Sequence, residues 1–182
     1  MQKMIFLALF AMITSTYFAS PLSAQSTKAS NLIKNPEFQK NFARWYVPFK
    51  SLGKPKVDNL NGENILIIKG FSEDTEKRIR CIQKLDLKKD EIAGQKFKFS
   101  VDLRAIKITG KVSFAVREID SENKTIIYHS IILDKRDKFD WKKFSKTFTA
   151  SPKATALGIY IIASYLDKDD EVQAKKLHLS KI

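Results

Sequence analysis

The chain has 182 residues but only one cysteine, Cys81, and two histidines, His129 and His178. A lone thiol cannot form an intrachain disulfide. Two histidines cannot build a multi-histidine metal centre, and the spaced Cys and His pairs of a zinc finger are missing. A glycine-rich phosphate loop, a Ser-His-Asp set and a Cys-His cluster are also missing. No cofactor and no metal is therefore expected. The one long apolar run, residues 4–13, is too short to cross ~30 Å of hydrocarbon. Negative charge is scarce: 20 Asp and Glu stand against 33 Lys and Arg, a formal net charge of +13. The lysines are spread along the chain, in KKD (88–90), DKRDK (134–138) and AKK (174–176) among other places. Dispersed lysine is the pattern of a solvated surface, with long-range attraction toward anionic surfaces or glycans. No RNA-binding or zinc-finger signature supports a nucleic-acid partner.

The N-terminus carries Lys3, then MIFLALFAMI, then a polar stretch with small residues ending PLSAQS. That order of charge, apolar core and small residues is the pattern of a secretory signal. Cleavage is expected after Ala24, and no cysteine near that bond offers a lipid anchor. The expected organisation is a signal peptide at 1–24, a short tether at 25–30 and one domain at 31–182. The destination would be the periplasm or the exterior. A domain of that size builds its own core, and a monomer is expected.

From there the pattern is strand after strand. KFKFSVDLRA (96–105) alternates most clearly, with Phe97, Phe99, Val101 and Leu103 on one face and Lys96, Lys98, Ser100, Asp102 and Arg104 on the other. A period of two with one apolar face marks a half-buried strand. KVSFAVREI (111–119) repeats it with Val112, Phe114 and Val116 inward. Further strands are expected at 42–49, 63–70, 78–85, 124–133, 141–150, 154–166 and 171–182. The β-branched 124–133 segment is expected to be covered on both sides. A short helical turn is expected within 86–93, and Cys81 is expected buried and inert between Ile79 and Leu85. Spacing near ten residues with polar turns points to an all-β sandwich of two antiparallel sheets.

Three pieces of the sequence carry a resemblance. The first is NLIKNPEF (31–38) followed by Trp45, the second WKKFSKTFT (141–149), and the third the closing KKLHL (175–179). Together they resemble the carbohydrate-binding modules of the xylan- and glucan-binding jelly-roll group, over residues 31–182. The resemblance implies a jelly-roll β-sandwich. Members often hold a structural calcium with a Glu after the opening Phe and an Asp in the last strand. Here those places fall on Gln39 and on Lys175 or Lys176, a neutral amide and a positive charge, whereas calcium takes six to eight oxygen ligands. The calcium is not expected to carry over. The acidic stretch at 167–171 lacks the glycine and spacing of an EF-hand loop and reads as a solvated hairpin turn.

The opening motif itself reads as structural. Asn31 and Asn35 can bond the backbone around an irregular start, while Phe38 and Trp45 plug the edge of the sandwich. Sugar-binding sandwiches stack pyranose faces on exposed rings and meet hydroxyls with Arg, Asn, Gln, Asp or Tyr. Residues opposite the apolar stripes are the candidates: Arg80, Arg117 and Tyr160, with Tyr46, Tyr128 and Trp141 beside them. The resulting expectation is a secreted, non-catalytic glycan-binding module, with the excess positive charge favouring an anionic glycan. Two alternatives stand beside it. One is an envelope or extracellular interaction domain. The other is a polysaccharide lyase using Arg117, Tyr128, His129 and Tyr160. Asp102, Glu118 and Asp120 form no convincing pair of the kind a glycosidase needs.

Overall fold

A computed structural model describes residues 30–48, 55–70, 78–134 and 138–182. The expected signal peptide, and the tether apart from Ser30, lie outside these residues, so their boundaries stay expectations. The described residues form nine strands and one helical turn: β1 (Lys56–Leu60), β2 (Glu63–Lys69), β3 (Arg78–Lys84), α1 (Lys89–Ile92), β4 (Lys96–Lys107), β5 (Lys111–Ile119), β6 (Thr125–Leu133), β7 (Phe139–Thr149), β8 (Ala156–Ser164) and β9 (Glu171–Lys181).

The strands pair antiparallel into two sheets. One has five strands in the order β1-β2-β9-β4-β7, and the other has four in the order β3-β8-β5-β6. Alternation decides which side of each strand enters the layer between them. Phe97, Phe99, Val101 and Leu103 of β4 are fully buried. Facing them are Val112, Phe114 and Val116 of β5 and Leu157, Ile159 and Ile161 of β8, all buried. Each such side chain contributes roughly 1.5–3 kcal/mol by leaving water. Cys81 joins this core at 1% exposure, and burial pushes its thiol up to about 12. That holds the sulfur as an unreactive thiol.

The opening motif closes one end of the layer. The Asn31 amide donates to the Leu177 carbonyl at 2.8 Å, and its oxygen accepts the Leu179 and Ile33 N–H groups at 3.0 and 3.1 Å. One side chain thereby stitches the start of the domain to β9. Asn35 gathers the next turn, donating to the Asn41 and Ala43 carbonyls at 2.7 and 3.1 Å. Phe38 stacks on Trp45 with centroids 5.3 Å apart, and both are buried.

Three expectations need correction. Residues 42–48 do not form a strand. The segment is a turn, with positive φ at Asn41 and Arg44, and it touches a sheet through one bridge between Tyr46 and Ile82. Asn35 holds the turn carbonyls that a strand would need, so the apolar alternation of FARWYV does not propagate; Phe49 lies outside the described residues. Next, β6 is not covered on both sides. It is the edge of the four-stranded sheet, and Ile126, Ile127, Tyr128 and Ile132 are exposed. Composition reports β preference but not position within a sheet. Finally, β1 escaped the alternation pattern because KVDNL is an exposed, mostly polar edge strand. Its signal is Asn61-Gly62, the two-residue turn to β2, with φ of +54° and +82°. Both values suit a tight hairpin.

Candidate functional site

Strand register places the outward side chains of the four-stranded sheet in rows. Lys84 of β3 lies opposite Gly158 of β8, which lies opposite Arg117 of β5, which lies opposite Tyr128 of β6. The adjacent row runs Ile82, Tyr160, Ala115, Ser130. A further row runs Arg80, Ile162, Ser113, Ile132. Of the six residues singled out from the sequence, Arg80, Arg117, Tyr128 and Tyr160 therefore share one outer face. Tyr46 joins its margin through the bridge to Ile82 and is 64% exposed.

Arg117 organises the middle of this face. Its Nη1 donates to the Tyr160 hydroxyl at 2.7 Å. Its guanidinium carbon sits 5.2 Å from the Tyr160 ring centre and 5.9 Å from that of Tyr128. The two tyrosine rings meet edge to face at 5.8 Å. Ring and cation fix one another, so the cluster presents a pre-set surface rather than three freely rotating side chains. Arg117 Nε is buried without an acceptor, an unmet donor within the cluster.

Gly158 makes the arrangement possible. A Cβ at that position would stand 3.0 Å from Tyr160 Cε2 and 3.4 Å from the Gln83 carbonyl. The missing side chain lets the tyrosine ring lie across the strand. Its sequence signal is a glycine inside the otherwise apolar strand ALGIYIIAS, a mark of close approach.

Beside the tyrosines, at the β3 edge, lies an open groove of about 690 Å³ lined by Lys34, Arg44, Tyr46, Ile82, Gln83, Lys84 and Asp86. Lys34, Arg44 and Lys84 had no signal in the sequence. Nothing in the local pattern brings residues 34 and 44 to the β3 edge.

Trp141 lies elsewhere, on the outer face of the five-stranded sheet, where the Lys175 ammonium covers its ring at 4.3 Å. That lysine also meets the Glu63 carboxylate, which Lys176 contacts at 2.8 Å. Glu37, Gln39, Glu63, Lys175 and Lys176 line one small cavity. The fold thus brings together the positions at which the resemblance locates a calcium. The residues do not fit that ion: two ammonium groups already surround Glu63, and their hydrogen bonds lower its carboxyl to about 2. A dication would have to displace or approach two positive charges. The acidic turn is likewise committed to the chain itself. Asp170 Oδ2 accepts from Thr109 N–H at 2.9 Å, Thr109 hydroxyl at 2.6 Å and Asp167 N–H at 3.0 Å. Glu171 pairs with Lys69 at 2.8 Å.

His129 points to the opposite side of its strand from Tyr128. It stacks on Phe148 at 3.9 Å, and its Nε2 lies 2.6 Å from the buried carboxylate of Glu118. The second Glu118 oxygen accepts the Ser151 N–H at 2.9 Å. The four residues a lyase would recruit therefore do not meet on one face.

No protein-family model and no curated protein matches the chain. Solved structures do match in fold. A family 16 carbohydrate-binding module is 17% identical with a TM-score of 0.60, over 82% of this chain and 99% of that module. A family 61 module in complex with β-1,4-galactotriose is 16% identical with a TM-score of 0.59, over 85% and 100%. The enzymatically active domain of bacteriophage CBA120 tailspike protein 4 is 13% identical with a TM-score of 0.63; the match covers 84% of this chain but only 21% of that one. At these identities the shared property is architecture: the chain has the two-sheet jelly-roll fold of carbohydrate-binding modules.

Proposed function

We propose that the chain is a secreted, non-catalytic glycan-binding module whose sugar-binding surface is the outer face of the β3-β8-β5-β6 sheet. The observation that carries this reading is the Tyr128–Arg117–Tyr160 cluster, two rings and a cation locked together on an open face. The C–H face of a pyranose stacks on a tyrosine ring, while the guanidinium and phenol hydroxyls orient the sugar hydroxyls. Lys84 to Tyr128 spans three strand spacings, about 14 Å, the scale of a short oligosaccharide. The fold's kinship with modules such as the galactotriose-bound one supports the same reading. His129 turned inward against Glu118 favours binding over lyase chemistry. The module acts as a monomer in this reading: Lys146 reaches the Ser130 carbonyl at 3.4 Å on the exposed edge of β6, and edge lysines oppose strand-to-strand pairing.

A glycan array followed by calorimetry tests the proposal. Heat with at least one glycan is expected, together with its loss in Tyr160→Ala. No heat with any glycan overturns it. The exposed isoleucines of β6, Ile126, Ile127 and Ile132, favour a second reading, a protein-interaction domain. A protein partner lost on Ile132→Lys but retained in Tyr160→Ala would establish that reading instead.

A further inference from the structure

We propose that the groove beside the tyrosine cluster reads an acidic group, so that the ligand is an acidic glycan carrying carboxylate or sulfate. This deepens the glycan-binding reading and rests on it.

The groove is built from the sequence upward. Gln83 is buried, and its amide is spent on the opposite segment: Nε2 donates to the Lys34 and Arg44 carbonyls at 2.7 and 3.2 Å, and Oε1 accepts the Lys34 N–H at 2.7 Å. The Tyr46 and Ile82 backbones exchange hydrogen bonds of 2.7 and 2.9 Å. The backbones of Lys34, Arg44 and Tyr46 are therefore fixed against β3. Arg44 is held at a φ of +73°, a conformation costly for a residue with a side chain.

Three cations, Lys34, Arg44 and Lys84, line the groove with one acid, Asp86. Among the described residues none of the three forms an ion pair. Many exposed lysines of the described residues also lack an ion pair; what sets these three apart is that they line one groove, whereas Lys175 and Lys176, which line the small cavity on the other sheet, are both tied to Glu63. Like charges gathered around one groove repel until an anion enters, and a planar guanidinium matches the oxygens of a carboxylate or sulfate. Lys84 shares its row with Gly158 and Arg117. Gly158 lets the Tyr160 ring lie over the row between Lys84 and Arg117, so one chain of sugars can rest on that ring and place its acidic substituent among the cations of the groove.

Calorimetry on the full chain tests this with matched probes: polygalacturonate and its methyl ester for carboxylate, dextran sulfate and dextran for sulfate, and a single-stranded DNA oligonucleotide for charge alone. At least one acidic probe should bind tenfold or more tighter than its neutral partner. Arg44→Gln with Lys34→Gln should remove that preference and keep the neutral affinity, with an unchanged melting temperature. Which acidic probe prevails distinguishes carboxylate from sulfate. Equal binding of acidic and neutral partners, an acid preference that survives the double substitution, or DNA binding as tight as the best glycan overturns the proposal while leaving Tyr160-dependent glycan binding in place. Absence of Tyr160-dependent binding to every glycan overturns the parent reading itself.

Discussion

The outer faces of the two sheets use the same residue types in opposite ways. On the five-stranded sheet, Trp141 is covered by Lys175, Lys175 is tied to Glu63, and Lys176 is tied to the same carboxylate. Ring and charge satisfy one another there. On the four-stranded sheet, Tyr46 and Tyr128 are 64% and 41% exposed, and the nearby Lys34, Arg44 and Lys84 form no ion pair among the described residues. An aromatic beside a lysine is thus a closed structural contact in one place and an open surface in the other. What separates the two is the acidic residue: Glu63 follows the Asn61-Gly62 hairpin turn and arrives between Lys175 and Lys176 of β9, while the groove beside the tyrosine face has Asp86 as the one acid in its lining and no ion pair to it among the described residues.

If the two faces differ as described, substitutions should sort between binding and stability. The largest effect belongs to Tyr160→Ala. It removes a stacking ring and the acceptor for Arg117, and should lower glycan affinity at least tenfold, ~1.4 kcal/mol or more. Calorimetry reads this, while the equivalent change at Trp141 should leave affinity within twofold. Affinity unchanged by Tyr160→Ala and abolished by Trp141→Ala would reverse the assignment of the faces.

Gly158→Ala comes next. The new Cβ meets the Tyr160 ring at 3.0 Å, so the ring must shift by a few tenths of an ångström. A several-fold loss of affinity with little change in melting temperature is expected, and a wild-type affinity would show that ring placement is not set by this contact.

Glu63→Gln should act on stability alone. Its carboxyl is held at about 2 in the folded chain, first by the Lys175 hydrogen bond and then by that of Lys176. A depressed carboxyl contributes stability above its unfolded value, ~4.3, and loses it as pH falls through the folded value. The melting-temperature gap between parent and variant should be constant at neutral pH and close between about pH 4 and pH 2. Glu63 is 42% exposed, so solvent screening keeps the gap small. A gap that does not narrow in acid would detach it from this ion pair.

Calcium or a chelator should have the smallest effect. With two ammonium groups around Glu63, melting curves in excess calcium and in chelator should coincide. A shift of several degrees would show that a cation competes with Lys175 after all.

Alternation in 96–105 and 111–119 was sufficient to locate β4 and β5 and their buried faces, because a two-residue period against one apolar layer leaves a single way to orient a strand. The same pattern put Arg80, Arg117 and Tyr160 on outward positions, and short-range chemistry made Asn31, Asn35, Phe38 and Trp45 legible as the plug of an irregular start. The pairing of strands far apart in the chain was not legible, since hydrogen bonds between backbones carry no residue code. That pairing made β6 an edge, turned 42–48 into a turn bridged once to β3, set Arg117 between Tyr160 and Tyr128, and sent Trp141 to the other sheet beneath Lys175. It also assembled Lys34, Arg44 and Lys84 around one groove from three separate stretches. Residue identity decides which face of a strand is apolar; only the closed sandwich decides which strands are neighbours, and every polar cluster on its surface is made of neighbours.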